Sequence, residues 1–63
     1  MFGQAKWVVV YEMKDGTEEQ FPMYSNEDLQ HERAQAEREV HSRDTAVKGY
    51  RVEYPDHTVV ERG

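Results

Sequence analysis

Seven consecutive residues, Trp7-Val8-Val9-Val10-Tyr11-Glu12-Met13, constrain this chain more than any other stretch. The run is β-branched and aromatic and stops at Lys14-Asp15-Gly16, so it reads as a strand entering a hairpin turn. Alternation puts Trp7, Val9, Tyr11 and Met13 on one face and Val8, Val10 and Glu12 on the other. Large apolar groups on both faces mark a strand that is central in its sheet or lies under a second layer on each side, and the later segments must cover it.

The turn allows two registers. A two-residue loop at Asp15-Gly16 pairs Val10 with Phe21 and Val8 with Met23. A three-residue loop, Lys14-Asp15-Gly16 with Gly16 in the left-handed region, pairs Val9 with Phe21 and Trp7 with Met23. The second gathers Trp7, Val9, Tyr11, Met13, Phe21 and Met23 on one face. It is the register expected, because a one-residue slip is decided by which face can be buried. Either choice leaves Glu12 near Glu18 or Glu19, a mild repulsion suited to an exposed position. Pro22 has no amide hydrogen to donate, which makes the second strand an edge.

Ser25-Asn26-Glu27-Asp28 reads as a helix start, with a capping side chain followed by acids that the macrodipole favours. From about Asn26 to Ser42 the residues are good helix formers, but the apolar stripe of Leu29, Ala36 and Val40 is narrow. Opposite charges recur at helical spacing at Glu27–His31, Arg33–Glu37, Glu37–His41 and Glu39–Arg43. The expectation is a solvated helix touching the sheet along a thin seam.

Thr45–Tyr54 and Thr58–Glu61 read as two further strands joined at Pro55-Asp56-His57. With His57 in the left-handed region, Val52 would pair with Val60 and Arg51 with Glu61. Tyr50, Val52, Tyr54 and Val60 would then share one face, and Arg51, Glu53 and Glu61 the other. The predicted architecture is α+β, a single domain over residues 1–63 in the order β-β-α-β-β. It is one antiparallel four-stranded sheet with one helix packed on one face. Residues 1–5 are expected to be a short frayed lead.

That arrangement leaves Val8, Val10, Pro22, Val47 and Val59 on the sheet face away from the helix. Five such residues would make a patch on the order of a few hundred Å², the scale of an interaction surface. A chain of 63 residues buries only roughly 60% of its unfolded surface, and without cysteine it has no disulfide to help. A homodimer through this patch is the expected support. Thirteen acidic against eight basic residues give a net charge of −5, which argues against binding nucleic acid through its phosphates and favours a basic protein surface. Steering toward that surface is expected from the helix acids Glu27, Asp28, Glu32, Glu37 and Glu39. No signal peptide and no membrane span is read in the sequence, and a cytoplasmic location is expected.

His31, His41 and His57 do not share a face at ligand spacing, so no metal and no cofactor is expected. Ser25 and Ser42 sit where capping explains them, and the four glycines are isolated, which removes the usual nucleophile and phosphate-loop signatures. The chain therefore reads as non-enzymatic. A different class of function is a sponge for a small anionic nucleotide, built at an oligomer interface from Tyr24, Arg33, Tyr50 and Arg51. A structural subunit of a larger assembly is the third.

The segment Gly49-Tyr50-Arg51-Val52-Glu53-Tyr54-Pro55-Asp56 resembles the Gly-Tyr-x-Val-x-Tyr-Pro-Asp pattern of small accessory proteins of bacteriophages. The resemblance covers the C-terminal hairpin only, and His57 stands where that pattern more often continues with Gly. It implies a phage-encoded, non-catalytic protein of the host cytoplasm that blocks a host defence protein by occupying its binding surface. The leading expectation is thus an acidic protein-interaction module that acts sterically and electrostatically.

Overall fold

The computed structural model describes residues 4–63; the first three residues of the expected frayed lead lie outside the described residues. Strand β1 (Trp7–Met13) pairs antiparallel with β2 (Glu18–Met23), matching Trp7 with Met23 and Val9 with Phe21. This is the register of the three-residue loop. The Met13 amide donates to the Thr17 carbonyl at 2.8 Å, and Gly16 closes the turn at φ 91°, a left-handed conformation that glycine adopts without steric cost. Asp15 fixes the turn by accepting from both the amide and the hydroxyl of Thr17, which lowers its carboxyl pKa.

Helix α1 (Asn26–Val40) begins where expected and ends two residues before Ser42. The Ser25 hydroxyl accepts from the Asp28 amide at 3.1 Å, satisfying a donor that the first helical turn leaves open. Strands β3 (Val47–Glu53) and β4 (Val59–Arg62) form the second hairpin, both within a residue or two of the predicted spans. His57 takes the left-handed position at φ 73°, as its tolerance of that region predicts.

The sheet order is β2-β1-β3-β4, with β1 central and β2 on an edge. The helix lies on one face, so the chain is α+β in the order β-β-α-β-β. Val9, Tyr11, Met23, Val47, Tyr50 and Val52 of the sheet pack with Leu29 and Ala36 of the helix, and Trp7, Met13 and Val40 border them half-buried.

Two β-bulges depart from simple alternation. Glu12 faces Gly49 while Met13 faces Val47, so Lys48 is an extra residue in β3. This turns Val47 onto the helix face, where it is 6% exposed, and removes it from the opposite patch. Val52 faces Glu61 while Glu53 faces Val59, so Val60 is the extra residue in β4. The pairing of Val52 with Val60 and Arg51 with Glu61 is therefore corrected by one position. Arg51 faces Arg62, Glu61 stands on the helix side, and Val60 is exposed.

Candidate partner-binding surface

The two faces of the sheet handle charge in opposite ways. On the face away from the helix, register brings Glu12, Glu18, Arg51 and Glu53 together, because Val10 faces both Gln20 and Arg51, and Glu12 faces Glu18. The Arg51 guanidinium donates to Glu12 at 2.7 Å, to Glu18 at 2.9 and 3.2 Å, and to Glu53 through its Nε. His57 also approaches Glu53, at 3.3 Å, and Arg62 approaches Glu12 at 3.8 Å. The Arg51 bonds hold the carboxyls of Glu18 and Glu53 below the usual range and push the arginine's own pKa higher still. The Glu12–Glu18 repulsion expected from the sequence is thus relieved by a guanidinium that both share, together with the exposure of Glu18. A planar guanidinium with five donors suits that task; an ammonium does not.

This network breaks up the expected valine patch. Val10 is 0% exposed and lies outside the helix-side core, flanked in register by the long side chains of Gln20 and Arg51. Val47 is on the other face. Of the five residues expected there, Val8 is half-buried, and only Pro22 and Val59 are exposed. The residues proposed for an anion pocket are not brought together in one chain either. Arg33 is on the helix, bound to Glu61 at 2.7 Å and to Gln30 at 2.8 Å, while Arg51 is saturated on the opposite face. Tyr50 is buried and Tyr24 is exposed at the strand–helix junction.

On the helix side, two tyrosines do work that sequence periodicity did not reveal. Tyr11 and Tyr50 are cross-strand partners, and each sends its hydroxyl to a helix carboxylate: Tyr11 to Glu32 and Tyr50 to Glu37, both at 2.7 Å. Burial, then the carboxylate bond, pushes the Tyr50 phenol up to about 12, and the same causes raise Tyr11. With Arg33–Glu61, these bonds supplement the thin apolar seam of Leu29 and Ala36. Of the four charge spacings expected along the helix, Glu37–His41 is a close contact, at 3.4 Å, while Arg33 turns instead to β4.

Glu32, Gln35 and Glu39 recur along one side of α1, the side that overhangs the first hairpin. Beneath them lies an open groove of about 340 Å³, lined by Tyr11, Met13, Phe21 and Val47 and rimmed by Glu19, Glu32 and Glu39. The edge of the Tyr11 ring meets the Phe21 ring with centroids 5.2 Å apart, yet Phe21 remains 37% exposed. None of the three rim carboxylates belongs to an ion pair among the described residues, and no described Lys, Arg or His lines the groove. All three act together on Tyr11, each raising its pKa further after burial and the Glu32 bond. Glu27 and Asp28 lie beyond, exposed on the first helical turn.

Among the described residues, no group of three or more His, Cys, Asp or Glu is placed to hold a metal ion. No helix among them is long and apolar enough to cross a membrane. No protein-family model, curated protein or solved structure matches the chain.

Proposed function

We propose that the chain is a non-enzymatic protein-interaction module that covers a basic surface of a partner, sterically and electrostatically, in the cytoplasm. One observation carries this reading: the negative charge is sided. The carboxylates on the open sheet face converge on Arg51, whereas Glu19, Glu27, Asp28, Glu32 and Glu39 lie on or beside the helix outside any ion pair among the described residues. The resulting field orients the module helix-first toward a cation-rich surface, and raises the encounter rate in a salt-dependent way. A phage inhibitor of a host defence protein is the biological setting that the second hairpin's resemblance supplies.

The test is association kinetics at two ionic strengths, against a partner isolated by affinity capture. Asp28→Lys with Glu39→Lys should slow association severalfold and flatten its dependence on salt, while folding changes by about 0.5 kcal/mol or less at Glu39 and slightly more at Asp28, which complements the helix dipole. An association rate indifferent to both salt and charge reversal removes the electrostatic mechanism.

Self-association belongs to the same proposal, with its surface moved. The exposed large apolar residues of the second hairpin are Tyr54, Val59 and Val60, and β4 is an open sheet edge. Light scattering in the micromolar range is expected to return a dimer that Val60→Lys dissociates. A monomer of 7.5 kDa throughout that range rejects it.

A further inference from the structure

The groove and the strand beside it have matching requirements. Strand β2 is an edge, so one row of its backbone donors and acceptors has no neighbouring strand, and its residues Glu18–Phe21 are all exposed. An extended segment laid along that edge would complete the row by strand addition, with side chains alternating between the two sheet faces. On the helix side those side chains would project beside Glu19 and Phe21, at the mouth of the groove. The floor there is aromatic and aliphatic, formed by Tyr11, Met13, Phe21 and Val47, and the rim is Glu19, Glu32 and Glu39. A side chain with an apolar stem and a cationic head fits both.

We infer that the edge of β2 and the groove beside it dock an extended basic segment of a partner protein, with an arginine or lysine stem on Phe21 and its charge among Glu19, Glu32 and Glu39. This inference rests on the acidic interaction module proposed above and names its site. The occupant is a peptide rather than a free small cation because the groove is open along a strand edge that offers backbone hydrogen bonds as well as charge. Charge complementarity selects the basic residue: no described cation lies within ion-pair distance of the three carboxylates, Arg38 nearby being bonded to Gln35. Pro22 fixes one limit of the docking, since at that position the edge offers no amide hydrogen.

The probe is an acetylated, amidated hexapeptide of alternating arginine and threonine, titrated at low salt while backbone amide signals of the full chain are followed. Saturable shifts are expected at Glu18–Phe21, Tyr11, Glu32 and Val47. Glu19→Gln and Glu39→Gln, neither of which removes a hydrogen bond of the fold, should each weaken binding about two- to fivefold. A peptide with citrulline for arginine keeps the shape without the charge and should bind at least about tenfold more weakly. N-methylation at alternate amides should abolish the shifts along β2, because it removes the donors that strand addition uses. Free spermidine that binds as tightly as the peptide, or an N-methylated peptide that binds undiminished, overturns the strand-edge assignment. Shifts confined to Glu27 and Asp28 overturn the groove while leaving an acidic module in place. An absence of binding to any basic peptide at low salt overturns both.

Discussion

Replacing Arg51 with methionine is expected to cost the fold about 3 kcal/mol at neutral pH, measured as the change in urea unfolding free energy. Methionine keeps an apolar stem opposite Val10 but takes away the guanidinium that Glu12, Glu18 and Glu53 share, leaving Glu12 only Arg62 at 3.8 Å. Glu53 is the most exacting of the three, being 5% exposed and bound to Arg51 Nε. Removing one member of a buried pair costs about 3–5 kcal/mol because the remaining charge is left desolvated; the exposure of Glu18 keeps the figure at the low end. A domain this size has roughly 3–9 kcal/mol in total, so the variant should be close to unfolding. The effect has a pH signature. Arg51 lowers the folded carboxyl pKa of Glu18 and Glu53 below their ordinary 4.5, so its contribution is fully present above that pH and is lost as pH falls through the lowered values. The gap between parent and variant should therefore be widest near pH 7 and close toward pH 3. A gap independent of pH would mean that Arg51 acts through packing alone.

Tyr50→Ala is expected to cost about 3–5 kcal/mol, the range for deleting a buried aromatic ring. The ring is 2% exposed and fills the space where a side chain at Gly63 would stand, while the backbones of Tyr50 and Gly63 exchange hydrogen bonds. Tyr50→Phe isolates the hydroxyl. It should cost only about 1 kcal/mol, because Glu37, half exposed, regains water when its donor is removed. Alkaline titration separates the two roles further. The unfolded phenol ionises at its ordinary 10.0 and the folded one near 12, so the parent loses stability as pH rises through that interval. Tyr50→Phe should show a shallower loss, the remainder coming from Tyr11, whose phenol is raised in the same direction. Equal alkaline slopes in parent and Tyr50→Phe would show that the folded Tyr50 phenol ionises as it does in the unfolded chain.

Patterning carried the fold a long way. Alternation in Trp7–Met13, with the turn at Lys14-Asp15-Gly16 and the edge residue Pro22, left two registers for the first hairpin, and the one that buries a continuous face is the one observed. Ser25 and the acids after it located the helix start. What alternation could not supply was the pair of bulges, because one extra residue inverts every later side chain on its strand. Lys48 and Val60 carry no mark of that role: neither is glycine or proline, and each sits in an otherwise regular strand pattern. Val47 and Glu61 were consequently assigned to the wrong face, and the valine patch with them. The candidate site was less legible still. The Glu-rich helix was visible, but which carboxylates are answered by cations depends on Arg51, which pairs across the strands, and on Arg33, which reaches from the helix to β4. The groove arises only where the helix overhangs the hairpin, a tertiary fact that no local spacing encodes.

The topology also concentrates chain entropy in one place. Both hairpins close over tight turns, at Gly16 and at His57, so each can form locally. The pairing of β1 with β3 is different: Met13 meets Val47, and Tyr11 meets Tyr50, only after β2 and the whole helix have been traversed. That single long closure joins the two hairpins, and its entropy must be met before the core can reward it. Substitutions at the Tyr11–Tyr50 junction thus bear on how fast the chain folds, while those in the outer strands bear on how readily it opens.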